Sequence, residues 1–493
     1  MSKTTSFYWF DYETFGTSPL WDRPCQFAGL RTDIELNVIG DPLVIYCRQS
    51  DDYLPQPGAC KVTGITPQLA NKKGLCEADF IARIRQELAY HGTCAVGYNN
   101  IRFDDEFTRH TLFRNLYDAF EHEWRDGCSR WDLLDVVRMT RALRPEGLNW
   151  PVTDDGVATN KLEHLSVANG IEHGQAHDAM SDVWATLGMA RLIKQQQPKL
   201  FDYAFDNRGK QAVAAMLNTS ERTPCFQVSS MIPGTRHHIS AVLPLRQIPD
   251  NPNSIIVLDL DQDSSYLADL DSDEIARRLF TPASDVTGLG TQPRPGLRTV
   301  QINKCPVLVP VSVVRKEDAQ RLNINKQAIL ERADRSSQWL SDSVLGQIEK
   351  AMKRDWPEND KVDVDGSLYR GKFLSQHDKQ RLASIREAEP ESIPQLQRHF
   401  DDPRLDEIVW RYRARNFPDS LTSDEQVIWQ KHCEQRLNDT TAPWLSFAEF
   451  ATSLSEIAET DDAVDRTSLW ASLRSYGESL RGHTADSWEA VRE

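Results

Sequence analysis

Several things are missing from this sequence, and each absence excludes something. The nine cysteines among 493 residues form no CxxC pair. Their odd number and wide scatter argue against a disulfide framework and a zinc site. They read as small core residues in a reducing compartment. No stretch approaches the ~20 apolar residues of a membrane span. The opening MSKTTSFYWFDYET lacks the apolar core of a signal peptide, so a soluble, cytoplasmic protein is expected. There is no GxSxG elbow and no cysteine in a nucleophile's setting. GLGTQPRPG at 288–296 lacks the Lys-Ser/Thr that completes a phosphate-binding loop. Positive charge is also short, with a net charge of −16. An acidic exterior discourages indiscriminate binding of polyanions, but a local basic groove still suffices to hold phosphates.

What is present is ordinary globular material, 40% hydrophobic and 26% charged, with length for about three domains of roughly 150 residues each. Residues 6–50 hold three short runs rich in aromatic and β-branched residues, SFYWFDYET, QFAGLRTD and PLVIYCR, which read as strands. Helical patterns follow in CEADFIARIRQELAYHG, FDDEFTRHTLFRNLY, RWDLLDVVRMTRAL and HDAMSDVWATLGMARLIKQQ, with CAVGY as a buried strand between the first two. This alternation is an α/β pattern. From 220 to 315 the runs CFQVSS, HHISAVLPL, SIIVLDL and RTVQINKCPVLVPV, separated by turn residues, predict a small β-rich domain. Residues 285–295 read as a surface loop. Helical patterns dominate from about 317, with PENDKVDVDGSL (357–368) as a linker. The expected division is 1–200, 201–355 and 356–493.

Five residues stand out in the first part. Asp11 and Glu13 are two apart on a predicted strand, so both side chains share one face. Each carboxylate raises the other's pKa unless a cation intervenes. Asp104 follows a strand and a turn at a helix start. Taken alone it reads better as a helix cap, and position does not separate it from Asp105 and Glu106. His177 and Asp182 flank the start of another helix, with Asp178 as an alternative cap. Clustered carboxylates cost stability unless they bind something positive, and a pair of magnesium ions cleaving a phosphodiester is the chemistry such a set serves.

Taken together, DYET at 11–14, NNIRFD at 99–104 and HDAMSD at 177–182 resemble the DEDD exonuclease superfamily, in its histidine-containing DEDDh branch. Longer stretches, GYNNIRFDDEFTRH, SRWDLLDV, ALRPEGLNWP, IEHGQAHDAMSDV, INKCPVL and WRYRARNFPDSL, are similar to the bacterial exonuclease I family and extend the likeness over most of the chain. The resemblance implies an RNase H-like exonuclease domain, then an SH3-like β-rich domain and a C-terminal all-α domain. It implies a magnesium-dependent exodeoxyribonuclease, with manganese as a substitute metal, that degrades single-stranded DNA processively from the 3′ end and serves repair and recombination.

In that family's terms Asp11 bridges two ions, Glu13 and Asp182 complete the site for the attacking water, Asp104 holds the second ion and His177 is the general base. Gliding along a strand calls for backbone charge and stacking. The candidates are Arg102, Arg130, Trp131, Arg144 and Trp150, then Arg411, Arg413, Arg415 and Phe417. The family also implies docking of the acidic tail of the single-stranded-DNA-binding protein, with Arg144 and Tyr203 as contacts, and a monomer. Two other readings stay open: a 3′→5′ exoribonuclease of the same superfamily, and an inactive single-strand-binding module.

Overall fold

The computed structural model describes residues 4–172, 178–281, 294–353, 363–396, 399–461 and 466–489. His177 and most of the loop expected at 285–295 lie outside these residues. The chain forms two compact units. One comprises 1–130, 173–187 and 359–493; the other comprises 131–172 and 188–358.

In the first unit the predicted strands are present as β1 (Ser6–Thr14), β2 (Pro24–Thr32), β3 (Leu43–Tyr46) and β4 (Thr93–Gly97). With β5 (Ser129–Asp132) they make a sheet of order β3-β2-β1-β4-β5. β1 runs antiparallel to β2 and parallel to β4. A central strand covered on both faces needs apolar residues on both, and only Asp11 in β1 is not fully buried. Helix Glu77–Leu88 buries Ala78, Phe80, Ile81, Ile84 and Leu88, and the last four make a helical stripe that packs on Tyr8, Phe10, Tyr12 and Phe27 of the sheet. The helical pattern expected from Arg130 begins at Leu133 instead. Arg130–Asp132 belong to β5, and the Asp132 side chain caps the helix by accepting the Leu134 N–H.

The C-terminal helices Arg404–Asn416, Ser423–Asn438, Phe447–Thr460 and Thr467–Glu489 belong to the same unit. Two of them open on capping boxes, Thr422 with Glu425 and Ser446 with Glu449, each satisfying orphan N–H groups of a first turn. Phe450, Leu454, Trp470 and Leu473 share a core with Phe15, Tyr53 and Leu54. Part of the supposed linker is no linker. Half-buried Asp363 and buried Asp365 pair with arginines, and a Cβ on Gly366 would meet the Trp21 ring at 2.3 Å.

The second unit is built on an antiparallel sheet of order β10-β6-β7-β8-β9, formed by β6 (Cys225–Val228), β7 (Ile239–Ile248), β8 (Asn251–Asp259), β9 (Leu297–Gln301) and β10 (Val307–Pro310). Val242, Ile255, Val257, Val300 and Leu308 form its core with Val213 and Leu217. The run read as one strand over 298–311 is two, β9 and β10. Among the described residues, no helix is long and apolar enough to cross a membrane. The cysteines are free thiols, all buried except the half-buried Cys305.

Candidate active site

β1 presents Asp11 and Glu13 on one face, opposite Ala28 and Gln26 of β2. After β4 the chain turns through Asn99, at φ 70°, into the short turn Asn100–Arg102 and then the helix Asp104–Arg114. Gly97 permits this turn, since a Cβ there would lie 2.7 Å from the Asn100 Cβ. The cap position belongs to Phe103, so Asp104 is not the helix cap. Its Oδ1 accepts the backbone N–H of Tyr12 at 3.1 Å, between the two strand carboxylates. Asp182 comes from the first turn of the helix Ala179–Gln196. Asp11, Glu13 and Asp182 each bring one oxygen to within 4.8 Å of the others.

The electrostatics of this cluster are one-sided. Burial pushes the Asp11 carboxyl well above the usual range, and Asp104, Glu13, Asp182 and Asp178 push it further the same way. Burial, followed by Asp182, Asp104 and Asp178, raises Glu13 to about 8. Like charges gathered in a low dielectric hold protons unless a cation replaces them. The donor set offers carboxylate oxygens, which suit a hard divalent cation.

The structure separates the other candidates. Arg102 is exposed beside the Asp104 helix. Arg130 is buried and ion-paired with Asp105 and Glu123, which corrects its reading as a phosphate contact. Trp131 is 1% exposed and packs edge-on against Phe201 and Phe205, a core ring out of reach of a stacking base. Trp150 is half-buried, donates its Nε1–H to the Pro145 carbonyl and carries Arg141 over its ring. Arg144 holds Asp318 and the Val313 carbonyl, and the Tyr203 hydroxyl donates to the Leu308 carbonyl. Arg411, Arg413 and Arg415 are buried in ion pairs, and Phe417 packs on Tyr412, so this run is interior rather than a grip.

Two features escaped the sequence reading. Asp178, which its position suggested as a decoy for Asp182 or a helix cap, adds to the field on Asp11 and Glu13. Asn100, fully buried, donates to Asp105 Oδ1 at 3.3 Å. An asparagine pair directly after a buried strand was the only available signal for it.

Comparison with known proteins adds to this geometry. Residues 8–189 match the family described as Exonuclease, 208–349 the Exonuclease I SH3-like domain and 362–480 the Exonuclease I C-terminal domain. Exodeoxyribonuclease I of Escherichia coli (strain K12) is 47% identical over 433 residues, covering 87% of this chain and 90% of that protein. Its counterpart from Haemophilus influenzae is 43% identical over 485 residues, covering 98% of this chain and 100% of that one. The solved structure of E. coli exonuclease I in complex with a dA16 oligonucleotide superposes with a TM-score of 0.91 at 43% identity, covering 97% of this chain and 100% of that one. A zinc-ion-bound E. coli ExoI–ssDNA complex and an ExoI/SSB-Ct complex match at 42% identity with TM-scores of 0.90 and 0.88, each over 97% of this chain and 99% and 100% of theirs. An exonuclease domain, an SH3-like domain and an all-helical C-terminal domain thus follow one another along the chain, which belongs to the exonuclease I family.

Proposed function

We infer that this protein is a 3′→5′ exodeoxyribonuclease that degrades single-stranded DNA processively, releasing nucleoside 5′-monophosphates, with a role in repair and recombination. The observation that carries the reading is the gathering of Asp11, Glu13 and Asp182 oxygens within 4.8 Å in a chain of this family. The oligonucleotide-bound relative supports single-stranded DNA as the substrate. The segments 1–200, 201–355 and 356–493 are the proposed extents of the three domains.

Asp11, Glu13, Asp104 and Asp182 are the proposed ligands of two divalent cations, Mg2+ with Mn2+ as a substitute, and the zinc-bound relative supports a divalent metal. Bound there, such a pair supplies acidification of the attacking water and charge stabilisation at the leaving 3′-oxygen. The protein's own part is positional. Strand alternation holds Asp11 and Glu13 on one face, the Tyr12 N–H holds Asp104 beside them, and a helix start delivers Asp182. His177 is the proposed general base, its ordinary pKa near neutrality suiting it to take the water's proton. Arg102 is the proposed DNA contact whose exposure suits that task. The ExoI/SSB-Ct relative supports docking of the acidic tail of the single-stranded-DNA-binding protein, for which Arg144 and Tyr203 stay the proposed contacts, on a monomer.

The test is incubation of wild type and Asp182→Ala with a 5′-labelled single-stranded DNA oligonucleotide and its RNA counterpart, with and without EDTA. Cation-dependent shortening of the DNA from its 3′ end, lost in the variant, is expected. RNA cut equally well would make the enzyme an exoribonuclease, and tight binding without cleavage would make it a binding module.

A further inference from the structure

Two aspartates open the helix Asp104–Arg114 side by side, and the structure treats them oppositely. Asp104 faces β1, where the Tyr12 N–H meets it. Asp105, 2% exposed, is claimed on both oxygens: Arg130 Nη1 donates to Oδ2 at 2.7 Å and Asn100 Nδ2 to Oδ1 at 3.3 Å. Arg130 does not act alone. Its Nε pairs with Glu123 at 3.0 Å, and Glu123 takes both Nε and Nη2 of Arg109 at 2.6 and 2.9 Å. Arg109 lies four residues after Asp105, on the same face of the same helix. It also pairs with Glu106 and reaches the Tyr369 hydroxyl, and that hydroxyl donates to Glu106.

The helix is therefore gripped at two points one turn apart, through a single arginine on β5 and a single glutamate. Such a grip fixes rotation of the helix about its own axis. Successive residues on a helix are set roughly 100° apart, so fixing Asp105 also fixes where Asp104 points.

We propose that Arg130 is a positioning residue for the cation site: by holding Asp105 and Glu123 it locks the azimuth of the Asp104 helix and keeps Asp104, not Asp105, aimed at Asp11. This rests on the reading of the Asp11, Glu13, Asp104 and Asp182 cluster as a divalent-cation site. Arg130 acts through Asp105 and Glu123 rather than as a ligand itself. A lysine at 130 can satisfy Asp105 or Glu123 but not both in the forked geometry of a guanidinium.

The experiment titrates Mn2+ into the full-length protein, following bound ion by electron paramagnetic resonance, for wild type, Arg130→Lys, Asp105→Asn, Asp104→Asn and Arg413→Lys. The last alters a buried ion-paired arginine elsewhere in the same unit and serves as the control for general loosening. Steady-state cleavage across Mn2+ concentration is measured in parallel. Loss of a partner that orients a metal ligand costs about 10–100-fold in affinity, so Arg130→Lys and Asp105→Asn are expected to bind Mn2+ roughly tenfold more weakly. Cleavage by both should recover at saturating Mn2+, and Arg413→Lys should bind as wild type does.

Arg130→Lys binding Mn2+ as tightly as wild type, with the helix intact by circular dichroism, would overturn the proposal. So would Asp105→Asn losing the ion as completely as Asp104→Asn, which would make Asp105 a ligand. A wild type that binds no Mn2+ defeats the cation-site reading itself, a different failure from either of these.

Discussion

Two clusters of buried carboxylates lie in the same unit and behave in opposite ways. At the candidate active site, burial and mutual repulsion lift Asp11 and Glu13. In the other cluster burial also pushes Asp365 up, but Arg415, Arg411 and Arg23 outweigh it and leave the carboxyl well below its usual range. Asp52 is depressed in the same way by Arg415, Arg436 and Arg23. The contacts are close: Arg415 Nη2 lies 2.6 Å from both Asp52 and Asp365, and Arg411 Nη1 lies 2.8 Å from Asp363. One cluster carries its own cations and is complete as built. On the proposed function, the other is completed by a cation from solution. Density of buried acid does not by itself mark a functional site; the two clusters differ in whether arginines are packed among the acids.

The comparison breaks most visibly if activity does not depend on the uncompensated set. Asp11→Asn removes one repelling charge, so its thermal midpoint should hold or rise. Its cleavage of single-stranded DNA should fall by ~10²-fold or more, the scale of losing one preorganised charge-stabilising group. A variant that stays active, assayed by release of acid-soluble nucleotide, would remove Asp11 from the site.

The complementary break is Arg415→Met. It takes the nearest guanidinium from two buried carboxylates that keep only the longer contacts to Arg23, Arg411 and Arg436, and breaking a buried pair on one side costs about 3–5 kcal/mol, measured by urea unfolding. Activity per folded molecule should be unchanged. Equal stability in variant and wild type would mean that Asp52 and Asp365 are satisfied without Arg415.

How much of this contrast the sequence could disclose depends on how local its causes are. Asp11 and Glu13 were legible because strand alternation is a two-residue rule, and Asp182 because its motif is compact. The strands of residues 6–46 were legible from their aromatic and β-branched runs. The choice among Asp104, Asp105 and Glu106 was not legible, because Arg130, which claims Asp105, lies on another strand. WRYRARNF read as a possible DNA grip because its partners are distant: Asp52 precedes Arg415 by 363 residues. The acidic stretch around Asp363 and Asp365 read as a linker for the same reason. Paired, both segments are interior; read separately, each has the composition of a surface.

A third measurement sharpens the difference between a complete and an incomplete cluster. A ligand that binds only the folded state stabilises it by about 2.7 kcal/mol at roughly 100 times its Kd. Mg2+ should therefore raise the unfolding free energy of wild type toward that limit and leave Asp11→Asn much less changed. Arg415→Met, whose cation site is untouched, should gain as much as wild type from its lower baseline. An equal gain in Asp11→Asn would place the stabilising ion elsewhere.

The smallest effect lies within the arginine cluster itself. His432 stacks on Trp429 with ring centroids 5.0 Å apart and sits 3.9 Å from Asp52. Burial lowers its pKa to about 4, Asp52 opposing and Arg411, Arg415 and Arg436 reinforcing the shift. The folded-state value is thus below the unfolded one, near 6.5. Between the two, the unfolded chain binds a proton that the folded chain refuses, so stability is full above that range and falls as pH drops through it. The slope is at most about 1.4 kcal/mol per pH unit for one such group. His110 and His122, also lowered to about 4 by burial, add slopes of the same sign, so wild type alone does not isolate His432. The difference between wild type and His432→Gln does. Urea unfolding from pH 7 to 4.5 should show a shallower decline in the variant. Parallel declines would mean that the folded protein accepts a proton at His432 as readily as the unfolded chain does, and that Asp52 offsets the arginines around it.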